Sequence, residues 1–374
     1  MKPKEIPPLK VVFSKNDRKE ILEKIDHALK IGYVAMGKNV KEFEDSFAKY
    51  NNSKHAISVS SCSSALEIMM RALNVQGKEV LVPDNTFLAT AAGVMLAGGK
   101  ARMVDIEKNT FSISLKEIKK RLTTKTVGVI IVHIGGIISP ELPKIKKWCD
   151  DNKLWLIEDC AHAHGSELKG EKSGRFGLAG AFSFFSTKVI TSGEGGMIVT
   201  DSDDFAKKIK LMRNHGKPDP WKSIHTDLGS NWRMSEINSI IGVTQLKRLD
   251  EFIEWRKNIA NMYTKQLMNI DDISLVLPKD RSSWYKYIIV LNNKLNRDVI
   301  KQKMKDMGVV LSGEVYEIPL HKQPVFEKHN DITAFANSAD VCSQHICLPL
   351  YYGMTSSEVN YVIESFKKAI TNKG

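Results

Sequence analysis

One lysine, Lys188, stands between an aromatic-rich stretch and a glycine turn in AFSFFSTKVITSGEGGMIVT, residues 181–200. A lysine amine adds to an aldehyde only when it is unprotonated and shielded, and pyridoxal phosphate (PLP) is the usual biological aldehyde used in this way. The flanks suit such a site. Phe182, Phe184 and Phe185 offer apolar walls, and Ser183 and Ser186 offer hydroxyls to a phosphate. Gly193, Gly195 and Gly196 let the backbone pass close to a bulky ring. An ordinary loop lysine beside a hairpin turn would look the same in this stretch alone, so the rest of the chain has to decide.

Three other stretches carry candidate chemistry. HAISVSS runs directly into CSSALEIMMRAL, a strand, a serine-rich turn and a helix start. The first amides of a helix lack internal partners and the helix dipole favours negative charge there, so Ser61, Ser63 and Ser64 are candidate phosphate ligands. Simple capping by Ser61 or Ser63 explains the same residues equally well. After the strand EVLVP, Phe87 stands where the next helix begins; it suits stacking on a flat ring, although a core position is the commoner fate of a phenylalanine. LWLIEDCAHAHG ends its apolar run in Glu158 and Asp159, at the strand end where open α/β sheets bind ligands. A carboxylate there can keep the pyridine nitrogen of PLP protonated, and Asp159 fits that role. Metal binding by Glu158, Asp159, His162 and His164 is the rival, but no HExxH pattern or further acidic cluster completes a coordination sphere.

These residues need a frame, and the hydrophobic pattern supplies one. Helices are predicted near Lys15 to Ile31, at Lys38 to Tyr50, around Leu115 to Leu122 and at Glu141 to Asn152. Between and after them EVLVP, ARMVDI, VGVIIVHIG and LWLIED read as near-continuous apolar strands. The alternation predicts an α/β fold with a mostly parallel sheet covered on both faces. Met234 to Leu267 reads as one long amphipathic helical region leading into a smaller α+β domain. There SWYKYIIVL is a strand, VVLSGEVYEI a second extended piece, and Thr355 with Glu358 the capping box of a last helix. The predicted division is 1–248 for the large domain, with an amino-terminal arm, and 249–374 for the small one.

Composition narrows the partners. The chain has 374 residues, 42% hydrophobic and 26% charged, enough for a large core. Its net charge of +12 comes from Lys and Arg scattered over helices, with no basic block interleaved with aromatics, which disfavours nucleic acid. The five cysteines fall in no metal or CxxC spacing, so a reducing compartment without disulfides is expected. The longest apolar run, VGVIIVHIGGII, is too short to cross a bilayer, and the amino terminus lacks signal-peptide features. A cytoplasmic location with no membrane partner is the expectation.

The pieces VSSCSSALEI, PDNTFLATA, IEDCAHAHGS, FSFFSTKVITSGEGGMIVTD, LGSNWRMSEINSIIGVTQLKRLD and LPLYYGMTSSEV, in this order, resemble the DegT/StrS family of PLP-dependent nucleotide-sugar aminotransferases. The likeness covers nearly the whole chain. It implies a fold type I PLP-dependent transferase working as a homodimer with both active sites at the subunit interface. By that resemblance Lys188 is the Schiff-base lysine and general acid/base, and Asp159 the partner of the pyridine nitrogen. Phe87 takes the ring-stacking position. Ser63 and Ser64 form the phosphate-binding turn, Ser183 also reaches the phosphate, and Asn231 comes from the other subunit. His162 stands where many members carry glutamine, and Cys62 replaces a usual glycine. His321, in PLHKQPVF, resembles a position near the substrate.

The activity so implied is ping-pong transfer of an amino group from glutamate, which leaves as 2-oxoglutarate, to a nucleotide-linked keto-sugar. The loop from Lys217 to His225, with Trp221 among cations, is a candidate for lying over the sugar nucleotide. Three alternatives stand beside this reading. A sugar dehydratase of the same fold would carry histidine in place of Lys188. A PLP lyase or desulfurase would want a reactive cysteine on a mobile loop. A PLP-fold DNA-binding regulator would want a helix-turn-helix, which these residues do not display.

Overall fold

The computed structural model describes residues 5–219, 221–329 and 335–371. Residues 1–4 of the amino-terminal arm and Pro220 of the 217–225 loop lie outside them. The arm is tied down by Ile6, fully buried, whose N–H donates to Gly308 (2.8 Å) and whose carbonyl accepts from Val310 (3.0 Å).

Helix α1 (Lys15–Lys30) opens on a reciprocal cap in which Asp17 N–H donates to Ser14 Oγ (3.0 Å) and Ser14 N–H to the Asp17 carboxylate (2.7 Å). Helix α2 (Lys38–Asn51) has no cap from its own segment. Instead the carboxylate of Glu236 takes the amides of Gly37, Asn39 and Val40 at 2.8 to 3.0 Å, putting a negative charge at the helix's positive end.

The main sheet is built next along the chain. Its strands are β1 (His55–Val59), β2 (Glu79–Pro83), β3 (Lys100–Val104), β4 (Thr126–Val132) and β5 (Trp155–Asp159). A two-residue hairpin, β6 (Glu167–Leu168) and β7 (Glu171–Lys172), precedes the last two strands, β8 (Ala179–Ser183) and β9 (Gly196–Thr200). The order is β1-β9-β8-β5-β4-β2-β3, and β9 alone runs against its neighbours. Four helices connect them, α3 (Cys62–Ala72), α4 (Leu88–Leu96), α5 (Leu115–Arg121) and α6 (Leu142–Asp151), and α7 (Asp203–Arg213) follows β9. Successive side chains enter different cores: Ile130 and Ile157 pack on one face of the sheet, Val129, Ile131 and Leu156 on the other. Burial on both faces is why these strands read as continuous apolar runs. The predicted α/β fold with a mostly parallel sheet is therefore the observed one.

The region predicted as one helical run is two helices, α8 (Glu236–Leu246) and α9 (Leu249–Leu267). The break is fixed by contacts distant in sequence. Arg248, just before α9, pairs with Asp17 of α1 (2.6 Å) and with Glu251 (2.8 Å). Beyond it stand β10 (Ile273–Val276), β11 (Tyr287–Leu291), α10 (Arg297–Asp306), α11 (Ala336–Gln344), β12 (His345–Leu348) and α12 (Ser356–Thr371). The three strands form an antiparallel sheet with β11 in the middle. Its core, around Tyr263, Tyr287, Met304 and Phe366, also takes in Ile6 from the arm. The predicted capping box of α12 is present, with Glu358 N–H on Thr355 Oγ1 (3.2 Å) and Thr355 N–H on Glu358 (2.7 Å).

VVLSGEVYEI, expected to be extended, joins neither sheet. Its start bridges to Ile6 of the arm, and further on side chains take the backbone donors: Val315 N–H donates to His345 Nε2 (2.9 Å) and Tyr316 N–H to Asn85 Oδ1 (2.9 Å). No helix among the described residues is long and apolar enough to cross a membrane.

Candidate active site

Parallel neighbours send their carboxyl ends to one edge of the sheet, and the segments leaving those ends meet there. Ser61 and Ser63 lie just past β1, Thr86 and Phe87 just past β2, Asp159 ends β5, and Ser183 and Lys188 come from the end of β8 and the turn after it. They line one cavity of about 400 Å³, a usual size for a small-molecule site. The opposite wall comes from far along the chain, with Tyr285, Lys286, Gly313, Glu314 and Tyr316, and Leu9 of the arm adds an apolar contact.

The end of α3 is built to receive an anion. Ser61 is the N-cap: its Oγ accepts from Ser64 N–H (3.1 Å), while Ser64 Oγ accepts from Ser61 N–H (3.0 Å). This reciprocal bond turns Ser64 inward and leaves Ser61, Cys62 and Ser63 facing the cavity. The amides of Cys62 and Ser63, in the first turn, have no acceptor within the helix. Strand β9 presses closely on this turn, since a Cβ on Gly196 would lie 2.4 Å from the Ser61 carbonyl. A side chain at 196 would push the phosphate-sized opening out of shape. Ser183, buried, lines the same cavity, and its Oγ accepts from Phe185 N–H (3.4 Å).

Asp159 is held from two sides. Thr90 Oγ1 donates to its Oδ2 (2.8 Å) and Ala161 N–H to its Oδ1 (3.1 Å). Burial nevertheless raises its carboxyl above the usual carboxylate range, against those hydrogen bonds and the charge of Lys188. An anion kept in such a place is ready for a cationic partner in the cavity. Lys188 points its Nζ over the ring of Tyr285, 4.9 Å from the centroid. His162 stacks on the same Tyr285 ring at 4.2 Å. Gly135 N–H reaches His162 Nδ1 (3.4 Å), which makes Nδ1 the acceptor and leaves Nε2 to donate to Tyr316 Oη (3.3 Å). Burial, then the charges of Lys188 and Lys286, push His162 well below the usual histidine range, so it is a neutral hydrogen-bonding group. Phe87 is 58% exposed at the cavity, so it is no core residue, and its ring lies 5.9 Å from that of Tyr316.

The rival metal set is dispersed. Glu158 accepts from Gly174 N–H (2.8 Å), Phe176 N–H (2.7 Å) and Gly177 N–H (2.8 Å), and pairs with His133 Nε2 (2.9 Å). It is thereby a structural carboxylate, although His133, Glu158 and Cys160 are the one trio among the described residues close enough to share an ion. His164 is enclosed by the rings of Phe182 and Phe184. Burial pushes the thiols of Cys62 and Cys160 well above their ordinary range, which makes both inert.

Five of the expected ligand and substrate residues do not line this cavity: Ser64, turned into its cap bond, Ser186, Asn231, Trp221 and His321. Asn231 is exposed, and Trp221 stands 86% exposed on its loop. His321 is paired with the buried carboxylate of Asp84 (2.6 Å) and faces a separate cavity of about 290 Å³ beside Phe335. Conversely, Tyr285, Lys286, Glu314 and Tyr316 are site residues that the sequence motifs do not single out. SWYKYIIVL reads as strand throughout, yet β11 begins only at Tyr287; the polar Lys286 inside an otherwise aromatic and apolar run is the one available signal.

The sequence model of the DegT/DnrJ/EryC1/StrS aminotransferase family matches residues 15–367. The chain is 31% identical over 369 residues to a GDP-perosamine synthase of Vibrio cholerae, covering 97% of this chain and 98% of that protein. It is 32% identical over 349 residues to a UDP-4-amino-4,6-dideoxy-N-acetyl-beta-L-altrosamine transaminase of Campylobacter jejuni, covering 91% and 92%. Among solved structures it resembles NtdA of Bacillus subtilis, which holds the cofactor PMP, with a TM-score of 0.89, 26% identity, and coverage of 96% of this chain and 82% of that one.

Proposed function

The chain belongs to the DegT/DnrJ/EryC1/StrS aminotransferase family, whose cofactor is PLP, and on that premise we propose that it transfers the amino group of glutamate to the keto group of a nucleotide-linked sugar. The observation that carries the reading is the meeting of Lys188, Asp159 and the open end of α3 in one cavity. The residues fit the cofactor. Free amides of Cys62 and Ser63, with the hydroxyls of Ser63 and Ser183, suit its phosphate; buried Asp159 suits its ring nitrogen; Phe87 suits its ring face; neutral His162 suits its phenolic oxygen. Ser64 contributes by holding the turn through its cap bond.

When bound, PLP supplies an aldehyde carbon that trades oxygen for nitrogen and a ring that spreads the charge left when a Cα proton departs. The protein does the rest. Lys188 Nζ holds the cofactor covalently between turnovers and, once released, carries the proton between donor carbon and cofactor. Asp159 keeps a proton on the ring nitrogen. Phe87, Tyr316 and Leu9 shield the cavity from water. One lysine in one cavity serves both substrates in turn, which gives ping-pong kinetics. Lysine rather than histidine at 188 disfavours the dehydratase reading, and buried Cys62 and Cys160 disfavour a desulfurase.

Two relatives named for GDP and UDP sugars motivate a nucleotide-linked acceptor. Binding of the remote nucleotide helps seat the sugar carbonyl at the cofactor amine, so its removal lowers turnover as well as affinity. Enzyme loaded with pyridoxamine phosphate should return to the PLP form with a nucleotide keto-sugar at least about 100-fold faster than with the matching free sugar. The absorbance change reads this directly. Equal or faster return with the free sugar, or with keto acids other than 2-oxoglutarate, would refute the nucleotide-sugar acceptor.

The large domain is taken as 1–248 and the small one as 249–374. The working form is taken as a cytoplasmic homodimer in which exposed Asn231 serves the partner's phosphate site, with Trp221 and His321 as substrate-side residues. Mixing inactive Lys188→Ala with inactive Asn231→Ala subunits should then restore about a quarter of parent activity, since half the dimers are hybrids and each hybrid has one intact site. Verified hybrids without activity would remove Asn231 from the neighbouring site.

A further inference from the structure

Lys286 is a second ammonium in the cavity, and no partner for it is found among the described residues. It is only 7% exposed and lines the same space as Lys188. Its Nζ lies 5.3 Å from the centroid of Tyr285, whose ring also carries Lys188 Nζ at 4.9 Å. Although burial opposes it, the two ammonium groups hold the Tyr285 phenol below its usual range. The acid of the same wall, Glu314, is engaged elsewhere, pairing with Lys301 at 2.8 Å. Room for the ammonium is made by Gly313, at φ +79°, where a Cβ would stand 2.5 Å from Nζ. The backbone is thus shaped around a buried, unneutralised cation. A charge in that state is costly unless a ligand pairs with it.

We propose that Lys286 binds a carboxylate of the amino donor and so seats the donor and its 2-oxo acid for the first half-reaction. This rests on the aminotransferase reading and extends it. The donor's amino group must come to the carbon held by Lys188, and its α-carboxylate is one bond from the reacting carbon. Both near the Tyr285 ring, Lys286 and Lys188 bring a cation and an amine together across the cavity, as an amino acid's carboxylate and amine require. The diphosphate of a sugar nucleotide, by contrast, is separated from the ring carbonyl by the sugar itself. A charge-assisted bond of this kind changes affinity by roughly 10- to 100-fold.

Glutarate, which has both carboxylates and no amine, is the probe. Calorimetry on the holoenzyme should find glutarate binding weakened about 10- to 100-fold in Lys286→Met, and the half-saturating glutamate concentration raised alike. Binding of a nucleotide-sugar product should change less than threefold, and borohydride should still fix the cofactor on Lys188. The ligand-free variant should melt no lower than the parent, because no internal ion pair is lost. Unchanged glutarate binding, or weakened sugar-nucleotide binding with glutarate intact, would overturn the proposal and hand the ammonium to structure or to the acceptor. Should Lys286→Met not fold, the unmutated holoenzyme crystallised with glutarate decides: a carboxylate on Lys286 Nζ supports the proposal, and glutarate held by other residues refutes it. Failure of every nucleotide keto-sugar as acceptor would strike the functional reading without touching the glutarate result.

Discussion

Lys188→Ala should abolish overall transamination, by about 10⁴-fold or more, and should leave a folded protein. One nitrogen is assigned two tasks, covalent attachment of the cofactor and movement of the proton, and a positioned proton carrier alone is worth up to about 10⁴-fold. The fold should tolerate the change because the side chain is only partly buried and faces the cavity, whereas its neighbours Val189 and Ile190 carry the packing. Backbone contacts hold the turn independently, with Lys188 N–H on the Phe185 carbonyl at 3.0 Å and Ser192 N–H on the Phe184 carbonyl at 3.0 Å. The decisive measurement is borohydride reduction of the purified protein followed by peptide mapping. The parent should carry a pyridoxyl group on the Lys188 peptide and the variant on none. A label on Lys286 or any other lysine would move the chemistry to that residue and invalidate the roles given to both lysines.

The two walls of the cavity differ in how far the sequence discloses them. Lys188, Asp159 and the serine turn lie on the sheet side, where a strand end dictates both the residue type and its direction. Local patterns carry that information, since an apolar run ending in an acid can be seen in five residues. The opposite wall is hidden because Tyr285 and Lys286 meet Lys188 across almost a hundred positions, and no periodicity reports such a meeting. The segment around Glu314 and Tyr316 misleads for a related reason. Its Val and Tyr content suits a strand, but Gly313 turns the chain at a positive φ, and Asn85 and His345 take the hydrogen bonds a sheet would have offered. The break before α9 is equally invisible, because an amphipathic stripe runs through both helices while the two residues between them pair with α1, Lys247 with Glu20 and Arg248 with Asp17. Ser64 reads as a ligand by type; its position three residues after Ser61 is a capping signal that the same sequence already contains.

Asp159→Asn should retain the cofactor and lose about 10²- to 10³-fold in glutamate-dependent conversion to pyridoxamine phosphate, the range for removing one aimed electrostatic group. An amide can occupy the space and keep contact with Thr90, but it cannot hold a proton on the ring nitrogen, so the charge released at the donor carbon loses its sink. Single-turnover absorbance measures this step apart from sugar binding. The stability of the cofactor-free protein separates this role from a structural one. Burial raises the Asp159 carboxyl above its ordinary range of about 3.9. A raised acid contributes stability that is full below its unfolded value and lost as pH climbs through its folded value. At pH 8 the ionised group therefore burdens the empty site, and the asparagine variant, free of that charge, should melt no lower than the cofactor-free parent. Cofactor addition should raise the melting temperature of the parent more than that of the variant, since only the parent gains an ion pair with the ring nitrogen. A cofactor-free variant that melts well below its parent, with near-parental conversion of glutamate, would make Asp159 a scaffold residue tied to Thr90 and Ala161, and the electron sink would then need another partner.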